Sequence, residues 1–145
     1  MATLERAIEI AREAHFGQVD KAGKDYINHP LRVMEMGKDI NEKIVGVLHD
    51  VVEDSDWTFE MLEAEGFSQA IIEALRCVTK LSENEDYDHF LNRMKGNRLA
   101  MKVKLCDLVD NLDTSRIENP TDSDIKRSKK YARAYAFIKK AISKL

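Results

Sequence analysis

The sequence predicts an all-α protein folded as a compact, single-domain helical bundle over residues 1–145. The chain has only 6 Gly and 2 Pro, too few for a β protein rich in turns. Apolar residues recur at helical spacing along most of the chain. A domain of this length buries roughly 70% of its unfolded surface, so it needs no disulfide or structural metal to fold.

The first half of the chain predicts three helices. The first runs from about Thr3 to Phe16, where apolar residues repeat every three or four positions, and a loop follows over residues 17–28. The second opens at His29-Pro30, because proline suits the first turn of a helix. The third, from Glu42 to about Glu53, is apolar nearly all round. We therefore expect it in the middle of the bundle.

The second half predicts further helices from their start and stop signals. Gly66 ends a short helix that contains Phe59, and Ser68 begins the next. The spacing of Ser82 and Glu85 matches a capping box, which predicts another helix start. The remaining two helices run from Asn97 to about Ser115, and from Thr121 with Asp124 to the C-terminus.

Composition and charge exclude several function classes. The formal net charge of −3 gives no electrostatic attraction to nucleic acid or to an anionic membrane surface. No secretory signal pattern and no apolar run of membrane-spanning length is present. Cys77 and Cys106 are predicted to be buried, reduced thiols, so we expect a cytoplasmic protein. The oligomeric state is left open.

The segment GVLHDVVED places four ionisable side chains on the most apolar predicted helix. His49, Asp50, Glu53 and Asp54 would lie on one side of that helix. Carboxylates buried in this way are costly unless a positive charge joins them. A hard divalent cation bound by oxygen and imidazole would supply that charge.

Two more residues from other predicted helices could complete such a site. His29 stands at the head of the preceding helix, and Asp107 lies in the apolar run KLCDLV. Spacing alone does not prove that they converge on His49 and Asp50.

The order of these residues resembles the HD superfamily of metal-dependent phosphohydrolases. The segments GQVDKAGKDYINHPLRV, VGVLHDVVEDSDWT, CVTKL and VKLCDLVDNLDTSR are similar, more narrowly, to the hydrolase domain of the RelA/SpoT family, in its stand-alone small alarmone hydrolases. The resemblance covers roughly residues 15–131. It implies the HD-type helical fold and removal of the 3′-pyrophosphate from a guanosine alarmone, with Mn²⁺ as cofactor and a small nucleotide as substrate. Alarmone synthesis is not expected.

The resemblance also implies roles for individual residues. It makes His29, His49, Asp50 and Asp107 the metal ligands. It assigns Glu53 and Asp54 to orienting and deprotonating the attacking water, which agrees with general-base chemistry at a metal site. Residues matching substrate-facing positions are Lys21, Lys104, Asn111, Arg127 and Tyr131.

Three acids depart from the family pattern: Asp20, Asp110 and Asp113. Asp20 stands where relatives acting on guanine compounds usually have Arg. An Asp accepts hydrogen bonds where an Arg donates them, so the adenine alarmone (p)ppApp becomes a candidate substrate beside (p)ppGpp. Two alternatives stay open. One is an HD phosphohydrolase acting on another phosphorylated nucleotide, such as NADPH or a mononucleotide, and the other is a non-catalytic nucleotide sensor.

Overall fold

The computed structural model describes residues 2–145, and the prediction of an all-α fold is confirmed. Within this range there is no strand, and one isolated antiparallel bridge joins Val19 to Asp25. The helices are α1 (Leu4–Ala14), α2 (Asn28–Met36), α3 (Ile40–Leu48), α4 (Val51–Asp54), α5 (Phe59–Glu65), α6 (Gln69–Val78), α7 (Tyr87–Met94), α8 (Arg98–Leu112) and α9 (Asp122–Ser143).

Most of the predicted start and stop signals are used as expected. The Ser68 hydroxyl caps α6 by accepting from the Ile71 backbone N–H. Thr121 and Asp124 form a complete capping box at the start of α9. Gly66 ends α5 in the left-handed conformation, with φ of 100°, which glycine adopts without steric cost.

The predicted continuous helix from Glu42 to Glu53 is wrong. α3 ends at Leu48 and α4 begins at Val51. The Nδ1–H of His49 donates to the Gly46 carbonyl at 2.6 Å, an oxygen that would accept from the Asp50 backbone N–H in an unbroken helix. This side-chain bond leaves His49 and Asp50 in a turn between the two helices.

The predicted capping box of Ser82 and Glu85 is also wrong. α7 begins at Tyr87, and its cap is Asp86. The carboxylate of Glu85 instead accepts two hydrogen bonds from the Arg93 guanidinium, at 2.8 and 3.0 Å. The predicted end of α8 at Ser115 is three residues late, because Asp113 leaves the helical conformation and accepts from the Ser115 backbone N–H and hydroxyl.

Replacing Glu85 with glutamine is expected to lower the free energy of unfolding at pH 7 by about 1.5–3 kcal/mol, the range for hydrogen bonds to charged groups. Bonding to Arg93, opposed by desolvation, lowers the pKa of Glu85 from 4.5 to about 2. Because this pKa is lower in the folded state than in the unfolded state, the ion pair stabilises the fold fully above pH 4.5. This contribution to stability disappears as the pH falls toward 2. Denaturant unfolding at several pH values measures it.

The matched control is Glu83→Gln, which removes the same charge from an exposed position in the same segment. The stability of Glu85→Gln should approach that of wild type between pH 4.5 and 2. A stability difference that stayed constant across this interval would contradict the assigned ion pair.

The core surrounds α3, as predicted for the most apolar helix. Val45, Val47 and Leu48 are fully buried, and α3 packs against α1, α2 and α8. A Cβ added at Gly46 would lie 3.3 Å from the Met34 backbone, so glycine permits a close approach between α2 and α3. Cys77 and Cys106 are free thiols and only partly buried. None of the helices in residues 2–145 is long and apolar enough to cross a bilayer.

Candidate active site

One cavity of about 590 Å³ opens between helices α2, α8 and α9 and the turn that separates α3 from α4. All of the residues that the sequence singled out for metal, catalysis or substrate lie in its wall. They are Lys21, His29, His49, Asp50, Glu53, Asp54, Lys104, Asp107, Asn111, Arg127 and Tyr131.

Two histidines present the same ring nitrogen to this cavity. The Nδ1–H of His29 donates to an Asp110 carboxylate oxygen at 2.6 Å, and that of His49 donates to the Gly46 carbonyl at 2.6 Å. Because these acceptors require a proton on Nδ1, each Nε2 is left as the free coordinating atom. The two rings stand edge to face, with centroids 5.2 Å apart.

Two carboxylates converge on these nitrogens. An Asp107 oxygen lies 2.9 Å from Nε2 of His29 and 3.3 Å from Nε2 of His49, and an Asp50 oxygen lies 3.1 Å from Nε2 of His49. Ligand atoms of His29, His49 and Asp50 all lie within 4.8 Å of one another. Nε2 of His49 is buried and makes no well-aligned hydrogen bond, so this donor set of two nitrogens and two carboxylates fits a divalent cation.

The electrostatics of the group point the same way. Burial opposes charge on His49, but Asp50 and Asp107 outweigh it and raise the pKa of His49 well above its usual value. Burial disfavours ionised Asp107, but Lys104 and His49 lower its pKa well below the usual value. The pKa of Asp50 is lowered to about 2, since His49 outweighs the opposing desolvation. Both acids are therefore ionised at neutral pH, and a divalent cation would replace the imidazole protons.

Neighbouring side chains hold the two acids in place. The Tyr26 hydroxyl donates to Asp50 at 2.5 Å. The Lys104 ammonium donates to one Asp107 oxygen at 2.9 Å, and the Asn111 amide donates to the other at 3.0 Å. Burial opposes charge on Lys104, but Asp107 raises its pKa above the usual value. Tyr26 was missed by the sequence interpretation, although it stands three residues before His29.

Asp110 holds His29, a contact that the sequence interpretation also missed. Its buried carboxylate accepts from His29 Nδ1, from Arg32 at 2.7 and 3.0 Å, and more weakly from Arg116 at 3.5 Å. Although burial favours the neutral acid, His29 and Arg32 lower the pKa of Asp110 to about 2. The available signal was its position three residues after Asp107, on the same face of α8.

The acidic pair of α4 lies beside the converging ligands. The Gln18 side-chain amide donates to the Asp54 carbonyl at 2.9 Å, and His15 contacts Gln18 at 2.9 Å through Nδ1. These two residues, just after α1, therefore hold the end of α4 in place. Asp54 is exposed and opens to the cavity, whose wall desolvates it in part. That desolvation, with the carboxylates of Asp50 and Glu53, raises the pKa of Asp54 to about 6.

Two cationic residues, one from the loop after α1 and one from α9, share the carboxylate of Asp124. Arg127 donates to Asp124, and the Lys21 ammonium lies 3.8 Å from the same oxygen. Tyr131 lies one turn after Arg127 on the cavity side. Together these residues form a positively charged and aromatic rim of the cavity.

The unusual acids Asp20 and Asp113 are engaged by their own loops. One Asp20 oxygen accepts from the backbone N–H groups of Ala22 and Lys24, both at 2.9 Å. Asp113 accepts from Ser115 and from Arg116. Asp20, Asp110 and Asp113 all line the cavity. Asp110 is bound to His29, and Asp20 and Asp113 are held by neighbours in their own loops.

Comparison with known proteins gives consistent relatives, although no protein-family model matches the chain. The chain is 33% identical over 122 residues to a guanosine-3′,5′-bis(diphosphate) 3′-pyrophosphohydrolase of Aquifex aeolicus. The aligned segment is 77% of the chain and 17% of the relative. It is 30% identical over 125 residues to the bifunctional (p)ppGpp synthase/hydrolase SpoT of Escherichia coli, covering 77% of the chain and 18% of the relative.

A solved structure extends the comparison to the fold. It is described as a metazoan ortholog of SpoT that hydrolyses ppGpp, and it superposes with a TM-score of 0.75 at 23% identity. The superposition covers 95% of this chain and 85% of the metazoan one.

The helical fold and the paired His and Asp residues of the cavity define an HD-type hydrolase domain. The chain spans less than a fifth of the length of the curated bacterial relatives that it matches. The relatives and the fold together support an HD-type hydrolase domain like that of the RelA/SpoT proteins.

Proposed function

We propose that the chain hydrolyses the 3′-pyrophosphate of a purine alarmone, (p)ppGpp or (p)ppApp, with a divalent metal and an activated water. The observation that carries this proposal is the convergence of His29, His49, Asp50 and Asp107 beside the Glu53–Asp54 pair in one cavity. The relatives named as guanosine-3′,5′-bis(diphosphate) 3′-pyrophosphohydrolases support the same activity.

The four converging residues are the proposed metal ligands, through Nε2 of each histidine and one oxygen of each acid. Mn²⁺ is the proposed ion, as the resemblance to the RelA/SpoT hydrolase domain implies, and carboxylate ligands suit it. When bound, such an ion neutralises phosphate charge and makes water more acidic. Tyr26, Lys104, Asn111 and Asp110 hold the ligands by the hydrogen bonds described above.

Glu53 and Asp54 are the proposed acceptors of the water proton. Asp54, with its pKa raised to about 6, remains ionised at neutral pH and is a stronger base than an ordinary aspartate. The water oxygen bonds to the phosphorus that is attached to the 3′ oxygen. The bond from this phosphorus to the 3′ oxygen breaks. Pyrophosphate leaves, and the 3′ oxygen takes up a proton.

The rim at the start of α9 is the proposed nucleotide site. Lys21 and Arg127 share only one carboxylate, that of Asp124, so their combined charge favours a phosphate group. Tyr131 offers an aromatic face next to them. Lys104 and Asn111, whose polar groups reach Asp107, line the same cavity.

Asp20 favours the adenine alarmone as the second candidate substrate. Its charge in the cavity wall opposes a guanine carbonyl and favours an adenine amino group. Asp20→Asn keeps an oxygen that can accept from Ala22 and Lys24, and we expect it to raise the kcat/KM ratio of ppGpp to ppApp by about threefold to tenfold. Steady-state kinetics with both substrates measure the ratio. An unchanged ratio would remove Asp20 from base selection.

The activity itself is tested by phosphorus NMR of the purified protein with Mn²⁺, using ppGpp and ppApp in parallel. Pyrophosphate should appear from at least one of them, and a sample treated with a chelator should release none. Release from neither, while nucleotide still binds, would favour the sensor alternative. Turnover of NADPH or a mononucleotide alone would favour the other phosphohydrolase alternative.

A further inference from the structure

Three lysine ammonium groups, two of which belong to the cavity wall, surround the aromatic side chains of α7. The Lys130 ammonium lies 4.1 Å from the centroid of the Tyr87 ring, and the Lys80 ammonium lies 5.9 Å from the same centroid. The Lys104 ammonium lies 5.3 Å from the centroid of Phe90, the ring that packs against Tyr87. Three ammonium groups therefore surround one aromatic pair.

Two of these three charges have no acidic partner. Lys104 pairs with Asp107, but within residues 2–145 neither Lys80 nor Lys130 forms an ion pair. Partial burial, followed by repulsion from Lys80 and Lys104, lowers the pKa of Lys130. An anion placed among the three ammonium groups would offset this repulsion.

The Tyr87 hydroxyl supplies a hydrogen-bond donor at the same place. It is buried and makes no hydrogen bond to any described residue, although a buried hydroxyl normally has a partner. Tyr87 lines the cavity together with Lys80 and Lys104. A phosphate oxygen is the acceptor that suits a phenol hydroxyl next to several ammonium groups.

We propose that Tyr87 and Lys130, together with Lys80 and Lys104, form a subsite for the terminal phosphate of the leaving diphosphate group. The assignment rests on the proposed function, which places the attacked phosphorus at His29, His49 and their acids. Lys104 bonds to Asp107 on one side and faces the aromatic pair on the other. The second phosphorus of the diphosphate, one bridging oxygen away, would therefore lie between Lys104 and Tyr87.

The subsite distinguishes a diphosphate from a single phosphate, and this is the property to measure. Calorimetric titration of the Mn²⁺-loaded chain with pyrophosphate and with orthophosphate compares wild type with Tyr87→Phe and Lys130→Gln. We expect Tyr87→Phe to weaken pyrophosphate binding about tenfold, the effect of one hydrogen bond to a charged group. Orthophosphate affinity should change less than about twofold, because it does not reach the subsite.

A similar lysine and tyrosine pair elsewhere on α9 gives matched controls. The Lys139 ammonium lies 5.9 Å from the Tyr135 ring centroid, and Tyr135, unlike Tyr87, does not line the cavity. Tyr135→Phe and Lys139→Gln should leave the affinities for both anions as in wild type. For the alarmone that is turned over, Tyr87→Phe and Lys130→Gln should raise KM more than they lower kcat.

The outcomes separate the subsite from the proposed function. Equal losses for both anions in Tyr87→Phe and Lys130→Gln, or no loss in either variant, would overturn the subsite even if alarmone hydrolysis is found. If wild type hydrolyses no alarmone but pyrophosphate binding still depends on Tyr87 and Lys130, the subsite stands and the proposed function falls. Lys130→Gln gives an independent result if Tyr87→Phe proves unstable.

Discussion

Replacing Asp107 with alanine is expected to abolish metal binding and turnover together. Its oxygen lies within 3.3 Å of Nε2 of both His29 and His49, so its loss removes a shared point of the proposed coordination. We expect Mn²⁺ affinity to fall more than about 100-fold, since even residues that only orient a ligand are worth 10–100-fold. Turnover should fall by at least about a thousandfold, because the metal contribution is lost.

The measurement pairs calorimetric titration with Mn²⁺ and the phosphorus NMR assay. Removing Asp107 also leaves the buried Lys104 charge without its partner, which destabilises the fold. Asp107→Asn is therefore included, because it preserves the size of the side chain. Asp88→Ala removes an acid from an exposed position on α7 and should behave as wild type. Normal Mn²⁺ binding by both Asp107 variants would refute its role as a ligand.

Replacing Glu53 with glutamine, or Asp54 with asparagine, should have the opposite pattern, with metal retained and turnover lost. Oxygens of Asp50 and Asp107 lie within 3.9 Å of the histidine Nε2 atoms, and those of Glu53 and Asp54 do not. Mn²⁺ affinity should therefore fall far less than in the Asp107 variants. The rate of the chemical step should fall about 10²–10⁴-fold, the usual contribution of a positioned general base. Single-turnover kinetics at saturating Mn²⁺ measure this step directly.

The control for the acidic pair is Asp56→Asn, which changes an exposed acid two residues further along. It should leave both metal affinity and rate unaltered. A near-normal rate in Glu53→Gln would take Glu53 out of the chemistry and leave Asp54 as the proposed base. A parallel loss of Mn²⁺ in either variant would instead make that residue a ligand.

Sequence periodicity predicted the helical fold because apolar spacing and capping residues are local properties. The break after Leu48 escaped prediction because Val51 and Val52 continue the apolar pattern of α3 into α4. What ends α3 is a side-chain bond from His49 to its own backbone at Gly46. Such a bond leaves no mark in hydrophobic periodicity.

The converging residues of the cavity could be named from sequence because their types, spacing and family resemblance agree. Their supporting contacts could not. Asp110 reaches His29 across 81 residues of chain, and one departure from a family motif does not reveal a long-range partner. Tyr87 likewise has neighbours from α8 and α9, so its surroundings depend on the tertiary packing of three helices.

The bonding of Asp110 to His29, Arg32 and Arg116 has an evolutionary consequence. These residues form an epistatic unit, in which each change is tolerated only in the presence of the others. Replacing Asp110 alone by a residue without a carboxylate would leave the two guanidinium groups without their buried partner. The cost of that replacement should be strongly non-additive with changes at Arg32 and Arg116. Lineages that carry this aspartate are thus expected to retain both arginines.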